Sequence, residues 1–173
     1  MVKTNINLFA EGEVVYTDGG VLAEFAWILV VLPFIAALII TFVGKSLPLK
    51  GAEVALGTIG IIFIYSLALM YLHVTKGVAN EFFINVGNIG QFDIEFGWVV
   101  DGLSIMMYFV VGLVALLVFI YATNYMEGEI RYTFFFTSLT LFAGSMLVLV
   151  SSPTLIQILI GWELVGVCSY LLI

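Results

Sequence analysis

Long apolar runs alternate with short polar breaks over most of the chain, and they divide it into five spans. The first runs from Phe25 to Val43 and ends at Gly44-Lys45-Ser46-Leu47-Pro48. The second covers Val54 to Val74, the third Leu103 to Thr123 and the fourth Tyr132 to Val150. Ser151-Ser152-Pro153 stops the fourth, and Thr154 to Ile173 forms the fifth. Each is close to the ~20 residues that cover ~30 Å of hydrocarbon at ~1.5 Å per residue. Backbone groups in lipid have no water to bond, so each span is expected to be a helix.

One connection breaks this rhythm. Between Lys76 and Asp101 the period changes from that of a helix to that of a strand. Gln91-Phe92-Asp93-Ile94-Glu95-Phe96 alternates polar and apolar, and Glu81-Phe82-Phe83-Ile84-Asn85-Val86 is a weaker partner. Gly87-Asn88-Ile89-Gly90 supplies turn residues between them. The pattern predicts a short β-hairpin between the second and third spans, with an irregular interfacial loop as the alternative. The expected fold is therefore an all-α polytopic membrane protein with about five transmembrane helices and one small hairpin.

Composition sharpens the class. Of 173 residues, 63% are hydrophobic and 10% charged, against roughly 25% charged in ordinary soluble domains. The net charge of −7 comes largely from two acidic stretches, Glu11 to Glu24 and Glu81 to Glu95. No basic stripe exists, so nucleic-acid binding is not expected. The single cysteine, Cys168, excludes an internal disulfide. Acidic residues rather than a positive region precede the first span, so it reads as a retained anchor. The loops with Lys45, Lys50 and Arg131 share one side, and Lys3 and Lys76 share the other. The excess of positive loops places the former inside. Residues 1–24 then form an extracytoplasmic segment ahead of the helical region 25–173, and the hairpin lies on the same outer side.

Little of the remaining chemistry stands out. No phosphate loop, zinc motif or nucleotide fingerprint is present, so no catalytic, cofactor-binding or metal-binding residue is expected within this chain. Val100-Asp101-Gly102-Leu103-Ser104 reads as an acidic N-cap that opens the third span. Asp101 is a secondary candidate for proton entry. His73 reads as an interfacial residue. Gly57 and Gly60 read as a packing notch on the second span, and Asp18-Gly19-Gly20 as a turn. Met106-Met107 and Phe134-Phe135-Phe136 read as lipid-facing or packing surface.

Glu163 is different. It lies in the middle of the fifth span, where a carboxylate costs about 3 kcal/mol on insertion scales. Intramembrane acids by default face a bundle interior or water and carry protons or ions. At ~100° per residue, Gly166 and Tyr170 share the face of Glu163, and Gly161 and Cys168 fall opposite. Glu163, with Tyr170 and Asp101 in support, is thus the candidate for proton translocation. The alternative is a carboxylate that only fixes helix packing. No Lys or Arg lies inside a span to pair with it.

The run Gly161-Trp162-Glu163-Leu164-Val165-Gly166-Val167-Cys168-Ser169-Tyr170-Leu171-Leu172-Ile173 resembles the fifth-helix signature of the antiporter-like L subunit (subunit-5 type) of NADH-quinone oxidoreductase, respiratory complex I. Val100 to Ser104, Tyr125-Met126 and Ser145 to Val150 fall in the order and spacing of that family's first five helices. The resemblance implies a proton-translocating subunit whose fifth-helix carboxylate, matching Glu163, pairs with a lysine on a later helix. It implies that NADH, FMN, iron–sulfur clusters and quinone belong to partner subunits. The partners implied are the other membrane subunits of the complex, above all a neighbouring antiporter-like one, within the lipid bilayer. The setting implied is a bacterial inner membrane or an equivalent energy-transducing membrane. Chains of the family are longer, so this sequence reads as an N-terminal fragment or a split subunit. A subunit of a multi-subunit Na⁺/H⁺ antiporter, a membrane-bound hydrogenase subunit and a non-pumping structural segment are the alternatives.

Overall fold

Five helices long and apolar enough to cross a bilayer make up most of the described chain. The computed structural model describes residues 20–77, 79–89 and 92–173. Most of the 1–24 segment, including Asp18 and Gly19 of the expected turn, lies outside them.

A short helix α1 (Gly20–Glu24) leads into α2 (Trp27–Val43) and a single 3₁₀ turn at Gly44–Ser46. The spanning helices α3 (Ala52–Lys76), α4 (Gly102–Tyr125), α5 (Tyr132–Ser151) and α6 (Leu155–Leu172) follow. Strands β1 (Asn80–Ile89) and β2 (Phe92–Val100) lie between α3 and α4. The fold is the expected one, five spanning helices with an antiparallel hairpin after the second.

α5 is the centre of the bundle. It packs against α2 and α6 most extensively and also touches α3 and α4, while α3 and α4 pair with each other. These helices are apolar almost all round, so hydropathy does not select the contact face. Small residues do. A methyl group on Gly161 of α6 would sit 3.0 Å from the Leu149 backbone of α5. On Gly144 of α5 it would sit 3.0 Å from Pro33 of α2, and on Gly112 of α4, 3.3 Å from the Phe63 Cα of α3. By contrast, Gly57 and Gly60 meet nothing within 4 Å. They are not a packing notch within the described residues, which corrects the sequence expectation. Their spacing alone did not reveal that the α3 contact is made by its other face, through Ala55, Ile59, Ile62, Ser66 and Leu69.

Buried hydroxyls are accommodated locally. Ser138, Thr140 and Ser145 on α5 each donate to the carbonyl four residues back, at 3.0, 2.7 and 2.8 Å. This satisfies the hydroxyls without a partner helix. Phe134 is exposed, whereas Phe136 is buried and meets Phe119 edge-on. The aromatic triplet therefore contributes packing surface through Phe136 and leaves Phe134 on the outside of the bundle.

The hairpin is longer than its sequence pattern suggested, and its reversal lies elsewhere. Gly87, Asn88 and Ile89 pair with Ile94, Asp93 and Phe92, so they belong to β1 rather than to the turn. A register shift between Asn85 and Gly87 inserts an extra residue. Such a bulge shifts every later position, and a glycine beside it is favourable. Ile89↔Phe92 is the last pair of the ladder, and Gly90 of the expected turn lies outside the described residues. At the other end Phe82 stacks on its cross-strand partner Trp98, centroids 4.4 Å apart.

Three polar contacts seat the hairpin on the bundle. The Gly97 N–H donates to Gln157 Oε1 and Gln157 Nε2 donates back to the Gly97 carbonyl, both at 2.9 Å. The Thr154 hydroxyl donates to the Glu95 carbonyl at 3.1 Å. The Tyr108 hydroxyl of α4 donates to the Val99 carbonyl at 3.2 Å. The hairpin thus caps the end of the bundle where α4 and α6 begin.

Candidate functional site

α6 starts because Thr154 accepts from the Gln157 N–H, an N-cap that satisfies one orphan donor. From Leu155 the helix runs to Leu172, and Glu163 lies about 12 Å along it at ~1.5 Å per residue. That is near the middle of the 18-residue helix.

One face of α6 is committed to the bundle. Gln157, Gly161 and Cys168 are its buried residues. Gly161 meets the Leu149 backbone, and Cys168 Sγ lies 3.6 Å from Ser145 Oγ. The other face is bare. Glu163 and Gly166 are exposed, and Trp162, Val167 and Tyr170 are 68%, 53% and 78% exposed. No atom lies within 4 Å of a methyl placed on Gly166. The other four helices of the described chain therefore leave the Glu163 face uncovered.

Glu163 and Tyr170 do share that face, but seven residues separate them by about 10 Å of rise. Tyr170 is too distant to bond the carboxylate directly; a route between them would need water or another group.

Asp101 stands apart from both. Its carboxylate Oδ1 accepts from the Ser104 N–H at 2.7 Å, and the Ser104 hydroxyl accepts from the Asp101 N–H at 2.8 Å. This is a complete capping box at the start of α4. The carboxylate is held by the helix terminus, on a different helix and at a different depth from Glu163. His73 comes close to this junction. A methyl on Gly102 would lie 2.9 Å from its Nε2. The fold thus brings the end of α3 to the start of α4, a proximity invisible in the sequence, where the two are nearly thirty residues apart.

Sequence reasoning passed over Gln157. It is 6% exposed and supplies both bonds to Gly97. The available signal was an amide inside an otherwise apolar run. A buried amide in lipid needs partners for donor and acceptor together, and a neighbouring backbone supplies both at once. No cluster of His, Cys, Asp and Glu able to hold a metal occurs among the described residues.

A five-helix membrane segment with one carboxylate on an uncovered mid-span face defines the class. Residues 87–136 match the family model described as NADH-Ubiquinone oxidoreductase (complex I), chain 5 N-terminus. The chain is 38% identical over 160 residues to NAD(P)H-quinone oxidoreductase chain 5 of a Picosynechococcus strain, covering 88% of this chain and 24% of that one. It is 39% identical over 159 residues to chain 5 of a Synechocystis strain, covering 88% and 23%. It is 36% identical over 157 residues to the chloroplastic subunit 5 of Chlorokybus atmophyticus, covering 87% and 24%. The resemblance read from the Glu163 motif is thus supported across most of the chain. The chain spans about a quarter of the length of these relatives. The family-model match ends at residue 136, before α6 begins.

Proposed function

We propose that this chain is the N-terminal part of a proton-translocating membrane subunit of an NAD(P)H-quinone oxidoreductase. Its similarity to chain 5 over 88% of its residues is the observation that carries the reading. Electron transfer, with nicotinamide, flavin, iron–sulfur clusters and quinone, is assigned to partner subunits. This chain contributes to the membrane path for protons in an energy-transducing membrane, next to another antiporter-like subunit.

Glu163 is the residue that carries the proton in this proposal. A carboxylate at mid-depth is costly as an anion unless charge or water faces it. The bare face of α6 offers room for both. A cationic side chain on a further helix, placed against Glu163, holds the carboxylate as an anion. When that pair opens, the carboxyl takes up a proton, and when it closes, the proton is released. Gly166, one turn on, keeps the surface beside the carboxylate low enough for a helix or water file to approach. Gly161 and Cys168 hold the opposite side of α6 on α5, so Glu163 is presented on a fixed support.

The test is Glu163→Gln in the intact oxidoreductase, reconstituted into vesicles. Assembled complex is expected at normal abundance, with proton uptake per electron reduced. Unchanged proton uptake at normal abundance sinks the assignment. Glu163→Asp, which keeps the charge and shortens the reach, is expected to be milder.

A further inference from the structure

At the end of the bundle opposite the hairpin, the α2–α3 and α4–α5 connections enclose a cleft of about 850 Å³. Lys45, Lys50 and Arg131 all line it. They are three of the four Lys and Arg residues in the described part of the chain. None of the three is ion-paired among the described residues.

Carboxylates are present but do not neutralise the cleft. Glu129 lines it. Glu53 lies nearby and accepts from the Leu49 N–H at 2.8 Å, and Glu127 lies in the adjoining turn. The lining itself holds three cations against one anion.

The cations sit on a built support. Lys50 has φ +51°, left-handed for a residue with a side chain, and its carbonyl accepts from the Thr133 hydroxyl at 3.1 Å. Gly51 follows at φ +99°. This bond ties the α2–α3 connection to the first turn of α5, next to Arg131. Apolar surface continues from the cations. Phe134 lines both this cleft and an adjoining one of about 400 Å³, which Met126 and Phe135 also line.

We infer that this cleft binds the phosphate headgroup of an anionic phospholipid, with an acyl chain along Phe134, Phe135 and Met126. Unpaired cations at helix ends lie at headgroup level, where each contributes to attraction of anionic lipid. Arg131 can grip a phosphate with two parallel N–H bonds, while the lysines act as point charges. The apolar continuation distinguishes a lipid from free phosphate, which has no use for it. The inference needs only that the helices span a bilayer, so it stands independently of the role of Glu163.

The experiment uses the full-length protein in its native assembly, stripped of lipid and returned to phosphatidylcholine bilayers carrying spin-labelled phosphatidylglycerol. The fraction of motionally restricted phosphatidylglycerol is read. Lys45→Gln/Lys50→Gln/Arg131→Gln is expected to weaken retention at least about tenfold, and Lys76→Gln, at the other end of α3, to leave it unchanged. Lys45→Arg/Lys50→Arg is expected to retain binding, and Glu129→Gln to strengthen it. These two variants keep the test sharp if the triple variant fails to assemble. Equal retention by wild type and the triple variant overturns the site. Loss of binding in Lys45→Arg/Lys50→Arg, or unchanged or weakened binding in Glu129→Gln, also counts against it. Displacement by millimolar inorganic phosphate overturns the lipid assignment.

Discussion

Gln157 and Gly97, sixty residues apart, exchange two hydrogen bonds of 2.9 Å and join the hairpin to the helix that carries Glu163. Gly97 is required at this contact. A methyl there would collide with the Phe82 carbonyl of the paired strand.

Replacing Gln157 by Leu leaves the Gly97 N–H and carbonyl buried and unbonded. Each such group costs roughly 1–3 kcal/mol. Hydrogen exchange in residues 80–100 is expected to accelerate, with the spanning helices still protected. Unchanged exchange in β2 would show that the clamp contributes nothing to hairpin seating.

Gly161 and Gly166 should respond differently although both lie on α6. Gly161→Val forces α6 away from the Leu149 backbone and is expected to cost about 1–3 kcal/mol. Gly166→Val meets nothing among the described residues, so any loss of stability it causes in the assembly reports only the neighbour proposed to approach the Glu163 face. Thermal unfolding of the purified assembly, compared with its abundance in membranes, separates the two. Equal destabilisation by both would place an unseen contact on the Glu163 face.

Asp101 offers a choice between two roles. Asp101→Ala removes the cap and is expected to cost about 0.5–2 kcal/mol. Asp101→Asn keeps an oxygen for the Ser104 N–H and should be close to silent in stability. If Asp101 serves only as a cap, Asp101→Asn also leaves proton uptake per electron intact. A loss of uptake at normal abundance would instead give Asp101 a part in proton entry.

Cys168 is 4% exposed and faces Ser145. A membrane-permeant maleimide is therefore expected to label it only after denaturation. Labelling of the folded protein would mean that α6 leaves α5 during its lifetime.

Much of the architecture was readable because hydrocarbon imposes helix length and composition directly. The five spans and the hairpin follow from run length and from a change of period. The face of Glu163 was readable too, since one helical turn places Gly161 and Cys168 opposite it. What failed was the detail that depends on particular contacts. Gly57-x-x-Gly60 looks like a packing surface by spacing, yet Gly112, Gly144 and Gly161 make the close approaches. Hydropathy is nearly uniform around these helices and cannot rank their faces. The turn at Gly87 was misplaced because one bulge shifts the register, and a local pattern does not reveal a bulge. Gln157 was passed over because its partner is a backbone sixty residues away.

That separation has a consequence for synthesis. Residue 97 is made sixty residues before residue 157, an interval of about 3–12 s at typical elongation rates. Throughout it the inner edge of the hairpin at Gly97 lacks its amide clamp. The amide clamp must therefore wait for the first turn of α6 to emerge, and until then the hairpin has only the Tyr108 hydroxyl of α4 on the Val99 carbonyl among its polar anchors to the bundle. The amide clamp on β2 and the helix that bears Glu163 are thus coupled in synthesis, the one forming only as the other begins.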